Sequence, residues 1–208
     1  MTGEGDYLIR LAVREDAPGA LAIYRPFVEG TAVTFETETP GIEAFGDRIE
    51  GVNAEAPWLV CTKGRDVAGY AYAGRHRVRE AYRCSRELSV YVDAEHRNRG
   101  IASGLYTSLI RLLYLQGYCN ALAGITLPNI SSVKFHESMG FKYVGTYHKV
   151  GFKLGQYHDV GWWELFLRQP GHVPSEPMGT RELVDSREGL NALQSGMEVI
   201  DSWPYRKR

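Results

Sequence analysis

Glu87-Leu-Ser-Val-Tyr-Val-Asp93-Ala-Glu-His-Arg97-Asn-Arg-Gly100-Ile-Ala-Ser103 decides how this chain folds, because a strand passes there through a basic, glycine-containing turn straight into a helix. From Glu87 to Asp93, Leu88, Val90 and Val92 alternate with Glu87, Ser89, Tyr91 and Asp93, so the period of two puts Glu87 and Tyr91 on one strand face. Past the turn, Ile101, Leu105, Leu109 and Leu112 recur at helical spacing up to Gln116, and Gly117 supplies a C-cap. Free N–H groups at such a helix start, aided by the helix dipole and by Arg97 and Arg99, suit a polyphosphate; Gly100 and Ala102 let a ligand approach the backbone. Taken alone, the segment reads better as a solvated turn that caps a helix, since glycine turns with two arginines are common. It contains neither Gly-Lys-Ser/Thr nor GxGxxG, so nucleotide hydrolysis and dinucleotide binding lack support.

Upstream, residues 7–13 alternate as a short strand, and Asp16 and Pro18 stand where the N-cap and first turn of a helix over 17–28 belong. Pro26 is expected to break or bend that helix. Thr31–Pro40 reads as an extended loop, Trp58–Lys63 and Val67–Arg75 as a hairpin, and 76–86 as a basic excursion between strands. Downstream follow a strand over Cys119–Leu127, a turn at Pro128 and Asn129, and a short helix over Ser131–Met139 stopped by Gly140. Strands over Phe141–Lys153 and Tyr157–Leu167 close the order, which predicts an α/β fold with helices on both faces of a mixed sheet. Gln169–Pro177 then has the texture of a linker, and a weak amphipathic helix over 181–199 makes the remainder an appendage. The expected division is one domain over 1–168 and an extension of unassigned role over 169–208.

With 24 Lys and Arg against 25 Asp and Glu in 208 residues, the formal charge of −1 gives no global field to recruit nucleic acid or an anionic membrane. Three widely spaced cysteines, with no CxxC or Cys/His cluster, argue against a disulfide framework and a structural zinc site, so no metal is expected. The acidic start lacks an apolar signal region, and no apolar run approaches the ~18 residues that span a bilayer. A soluble, cytoplasmic protein is the expectation.

Arg97-x-x-Gly100-x-Ala102 resembles the pyrophosphate loop of the GNAT superfamily of N-acetyltransferases, and Asn129-x-x-Ser132-x-x-x-His136-x-x-x-Gly140-Phe141 resembles the helix motif that follows it. Ser89–Asp93, Leu127–Asn129, Phe135–Phe141, Gly151–Lys153 and above all Tyr157–Trp162 narrow the resemblance to the phosphinothricin and methionine sulfoximine N-acetyltransferase branch, over about residues 7–168. Ala102 stands where that loop usually has glycine, and Arg97 where glutamine is common.

The resemblance implies a mostly antiparallel GNAT sheet, acetyl-CoA as cosubstrate, a homodimer, and direct transfer of acetyl to the amine of a small amino acid or analogue. It places Arg97, Asn98, Arg99, Gly100, Ile101, Ala102 and Ser103 on the pyrophosphate, and Asn129 and Ser132 on the rest of the cofactor. Backbone groups of Val90, Tyr91 and Val92, if splayed by a bulge, would polarise the thioester carbonyl. Glu87 becomes the general base, since an amine arrives at neutral pH largely as ammonium; an arbitrary strand glutamate would instead pair with an arginine. His136 is expected beside the reacting atoms, with acid and base roles both open. Arg79 with Tyr82, Arg75 and the neighbouring Arg77 are expected to take the substrate carboxylate, with Thr34, Phe35 and Val160 as pocket walls. His158 is read as packing. Acetylation of a protein N-terminus or another metabolite amine, and a non-catalytic acyl-CoA-binding domain, are the alternatives.

Overall fold

A computed structural model of the chain describes residues 7–169 and 176–204. Its elements are β1 (Tyr7–Leu11), α1 (Ala17–Gly30), α2 (Ile42–Asn53), β2 (Trp58–Lys63), β3 (Asp66–Arg75), β4 (Ser85–Val92), α3 (Ile101–Gln116), β5 (Asn120–Leu127), α4 (Ile130–Ser138), β6 (Lys142–Lys153), β7 (Gln156–Phe166), α5 (Thr180–Val184) and α6 (Arg187–Asp201). Seven strands form one sheet in the order β1-β2-β3-β4-β5-β7-β6. Every neighbouring pair is antiparallel except β4 with β5.

Both sheet faces are covered, and the strand sequences show why. In β2, Leu59 and Cys61 join a core with Leu105, Leu109 and Leu112 of α3, while Trp58 and Val60 join a second core with Leu21 and Tyr24 of α1 and Phe45 and Ile49 of α2. A strand buried on both sides needs apolar residues at every position, and β2 has them from Trp58 to Cys61. In β4 the expected alternation holds: Leu88 packs toward α3 with Val90 and Val92 beside it, and Tyr91 packs into the opposite core.

Several expectations need correction. Pro26 does not break helix α1, which runs on to Gly30: a proline near the helix end removes one hydrogen bond while the apolar face continues to the buried Val28. Asp16 stands at the N-cap of α1 with Pro18 in its first turn, as expected, but its side chain makes no capping bond: the carboxylate accepts from Val13 N (2.9 Å) and pairs with Arg10 (2.7 Å). Helix α2 has no counterpart in the sequence reading, although Ile42, Phe45, Ile49 and Val52 keep helical spacing across Gly46 and Gly51. The single tail helix is two, separated where the Ser186 hydroxyl caps α6 by accepting from Gly189 N (3.1 Å). The linker 169–177 falls largely outside the described residues.

Nor is the described part of the extension an appendage. Leu183, Val184, Ala192, Leu193 and Ile200 are buried in the same core as α3. The crossing of α6 over α3 is close because two glycines meet: a Cβ on Gly196 would lie 2.3 Å from Gly104 O and 2.2 Å from Ser108 Oγ. Gly196→Val must therefore push the helices apart, and a loss of about 1–3 kcal/mol of stability by urea unfolding is expected. Leu190→Ala, at an exposed position of the same helix, should stay within about 0.5 kcal/mol of wild type.

Candidate active site

The parallel pairing of β4 with β5 lasts only three residues, Ser85–Glu87 against Asn120–Leu122. Beyond Glu87 the strands part: β4 stays on β3 without a register shift, and β5 stays on β7. The bulge expected at Tyr91 and Val92 is therefore absent from the β3–β4 ladder, and backbone groups of Leu88–Val92 are freed by splaying instead. A cavity of ≈ 490 Å³ opens at the split.

Glu87 stands at its head. Gly124 lies across the split beside it, a Cβ there falling 3.5 Å from Glu87 Oε1, an ordinary contact distance. Its carboxylate is half-buried and 3.5 Å from His76 Nδ1, whose ring lies edge-on against Trp162 and Tyr82. Burial raises the Glu87 pKa above the ordinary carboxylate value, against the opposing pull of His76 and Arg77. A carboxylate so placed is a better proton acceptor than a solvated one.

His136 lies in the other wall, buried on α4. Its Nδ1 is 2.8 Å from Ser132 O, and a carbonyl only accepts, so Nδ1 carries the proton. Nε2 is left to accept from the Tyr106 hydroxyl at 3.0 Å. Tyr106, which the sequence reading passed over as part of an apolar helix, thus reaches the cavity from α3. Burial pushes its phenol far up, so it stays protonated.

Of the substrate residues anticipated, Thr34, Phe35 and Val160 line the cavity, together with Tyr91, Val90 and Ser132 from the cofactor set. Arg75, Arg79 and Tyr82 do not: they surround a small adjoining hollow, and Arg75 is ion-paired with Glu55. Arg77 is the arginine on the cavity wall. Asn129 caps α4, its side-chain oxygen accepting from Ser132 N (3.2 Å), and only its amide N–H groups are left to donate elsewhere. Val92 and the turn Arg97–Ser103 lie outside the cavity lining. In that turn Asn98 and Gly100 both have left-handed backbone (φ 59° and 80°), and Gly100 precedes α3 with no side-chain cap, so the first N–H groups of the helix lack a side-chain acceptor. Among the described residues no group of His, Cys, Asp and Glu could hold a metal ion, and no helix is long and apolar enough to cross a membrane.

A mixed sheet opened between two parallel strands, with an uncapped helix start beyond one and a buried-leaning carboxylate between them, defines an acyltransferase scaffold. The description "Acetyltransferase (GNAT) domain" matches residues 9–162, and the chain belongs to that family as an N-acetyltransferase. It is 36% identical to the phosphinothricin N-acetyltransferase of Streptomyces viridochromogenes over 82% of this chain and 92% of that one. It is 34% identical to the L-methionine sulfoximine/L-methionine sulfone acetyltransferase of Pseudomonas paraeruginosa over 80% of this chain and 98% of that one. A phosphinothricin acetyltransferase of Sinorhizobium meliloti, solved with acetyl-CoA, superposes with a TM-score of 0.75 at 30% identity, covering 81% of this chain and 95% of that one.

Burial lowers the His136 pKa, with the Ser132 backbone opposing. The unfolded chain then takes up a proton near pH ~6.5 that the folded chain resists, so His136 costs stability as pH falls through that value and costs none well above it. In urea titrations from about pH 7.5 down to about 5.5, wild type should lose more stability than His136→Asn. Parallel losses would show that folding leaves the His136 pKa unchanged, and a smaller loss in wild type would show that folding raises it.

Proposed function

We propose that the protein acetylates the amine of a small amino acid or analogue of the phosphinothricin or methionine sulfoximine type, with acetyl-CoA as donor. The observation that carries the reading is Glu87 at the head of the β4–β5 split, facing a cavity whose other wall holds the Tyr106–His136 pair. Acetyl-CoA supplies the activated acyl group as a thioester. Its pyrophosphate is assigned to the N–H groups after Gly100 with Arg97 and Arg99 nearby, and its amide-bearing arm to Asn129 and to the open edge of β4.

Glu87 takes one proton from the substrate ammonium, and the free amine attacks the thioester carbonyl. Backbone N–H groups of the unpaired β4 edge face the oxygen that becomes negative. When the C–S bond breaks, the second amine proton leaves and neutralises the thiolate, so the sum is amide, free thiol and the one proton held by Glu87. Tyr106, whose single hydroxyl proton is held by His136 Nε2, is assigned to shaping this wall of the cavity. His136 is thereby a positioning residue, neither acid nor base.

For the substrate carboxylate, Arg77 is the cation on the wall, and guanidinium matches carboxylate bidentately. Thr34, Phe35, Val160 and Trp162 enclose the side chain. A homodimer fits the exposed apolar edge formed by Val144, Tyr147, Val150, Phe152 and Tyr157 on β6 and β7. Three unpaired cysteines fit a reducing cytoplasm.

A panel of free amino acids, phosphinothricin, methionine sulfoximine and methionine sulfone, assayed for CoA release, tests donor and acceptor together; turnover only with peptide N-termini would overturn the reading. Glu87→Gln should keep the fold and lower kcat by about 10²–10⁴-fold at neutral pH, the deficit shrinking as pH rises because more amine then arrives unprotonated. Arg77→Ala should raise KM for the amino acid by at least about tenfold while KM for acetyl-CoA holds. Equal changes in both would remove Arg77 from the carboxylate site.

A further inference from the structure

The family match ends at residue 162, and the Streptomyces viridochromogenes relative is covered over 92% of its length by 82% of this chain. Helices α5 and α6 lie beyond that match. Even so, α6 runs along α3 in strict reverse order. Leu193 O accepts from Ser108 Oγ (3.2 Å), Gly196 meets Gly104, and Ile200 would be 2.6 Å from a Cβ on Gly104. One turn further, Trp203 reaches Gly100: a Cβ there would fall 2.8 Å from indole Cδ2 and Cε3 and 2.9 Å from Cγ.

Those contacts put the flat face of the indole against the turn that starts α3. Its N–H is buried with no hydrogen-bond partner among the described residues, so the ring is held there by packing. The turn has reason to need a brace. Gly100 is left-handed at φ 80°, Asn98 at φ 59°, and the helix start has no side-chain cap. Glycine has the widest backbone freedom of any residue, so an uncapped glycine turn leaves its anion-binding N–H groups poorly fixed.

We propose that Trp203 is a positioning residue for the cofactor: α6 delivers its indole against Gly100 and locks the turn so that the N–H groups of Ile101–Ser103 converge on the pyrophosphate. The proposal rests on the reading of Arg97–Ser103 as the pyrophosphate turn. It gives the carboxy-terminal extension a role in cofactor affinity in addition to core packing. It also explains Gly100 twice over, by its left-handed backbone and by the ring that fills the place of a Cβ.

The test is calorimetric titration with CoA of full-length W203A, W203L and L193A, with acetyl-CoA and amine kinetics on each. W203A should bind CoA about tenfold more weakly, the scale of one lost charge-assisted hydrogen bond. KM for acetyl-CoA should rise in parallel while KM for the amine holds. W203L, which keeps apolar bulk without a flat face, should also lose affinity and serves if W203A does not fold. L193A removes tail packing away from the turn, and should lower stability while keeping the CoA affinity. Wild-type affinity in W203A or W203L, or an equal loss in L193A, overturns the brace. Gly100→Val separates the two levels: if it binds CoA as wild type does, the turn assignment itself falls, whereas if it alone loses binding, only the role of Trp203 does.

Discussion

β5 has two neighbours to satisfy, and the one that holds it is β7, through eight consecutive pairs from Asn120–Phe166 to Leu127–Asp159. β4 is held as firmly by β3, from Arg75–Arg86 to Gly69–Val92. Two right-handed twisting ladders cannot both stay in register with each other once their partners pull them apart, so β4 and β5 pair for three residues and then separate. The unpaired backbone that results would be costly in a closed core. At the surface of a cavity it leaves donors and acceptors facing open space, and the sheet's shortest ladder is where the cavity forms.

The loop that closes this cavity is held by residues whose sequence signature gives no hint of such a role. Lys153 Nζ donates to Thr34 O (2.8 Å), and His158 Nε2 donates to Lys153 O (3.0 Å). Gly151 admits the Phe35 ring, which a Cβ would approach to 2.1 Å. Tyr24 and Thr34 share a hydroxyl contact at 2.7 Å. Gly151, Lys153 and His158 thus act on the pocket through residues 34–35, while Val160 and Trp162 of the neighbouring segment line it directly, and His158 packs as a structural residue.

Legibility followed the reach of each signal. Period-two and period-3.6 patterns are local, so β4, α3 and the hairpin of β2 and β3 could be read from the chain. Helix α2 could not, because two glycines and its charged residues dilute a four-residue apolar stripe that only the second core makes stable. Glu87 and His136 stood out through the resemblance to the family, His136 within a spaced motif and Glu87 by its place on β4. Tyr106 did not, because its signal is a tertiary contact with His136 across 30 positions, on a helix that looks uniformly apolar. The extension misled for the same reason: its helix is amphipathic in sequence, but what it covers is the first turns of α3, which no local pattern names.

The arginine cluster shows where spacing alone fails, and electrostatics supplies the missing step. Arg75 and Arg86 are directly opposed on β3 and β4, two like charges in register. Such a pair is destabilising unless an anion stands between, and Glu55 does, accepting from both side chains while its own pKa is held down chiefly by Arg75. Arg86 is buried and also donates to Tyr118 Oη (2.7 Å), so this cluster is committed to structure. Arg75 is thus neutralised on the side of the sheet away from the cavity. Arg77, past the end of β3, has no such partner imposed by the strand register, and it lines the cavity, where its charge opposes the burial-driven rise of the Glu87 pKa. One glutamate therefore commits Arg75 and Arg86 to holding the sheet and leaves Arg77 on the cavity wall.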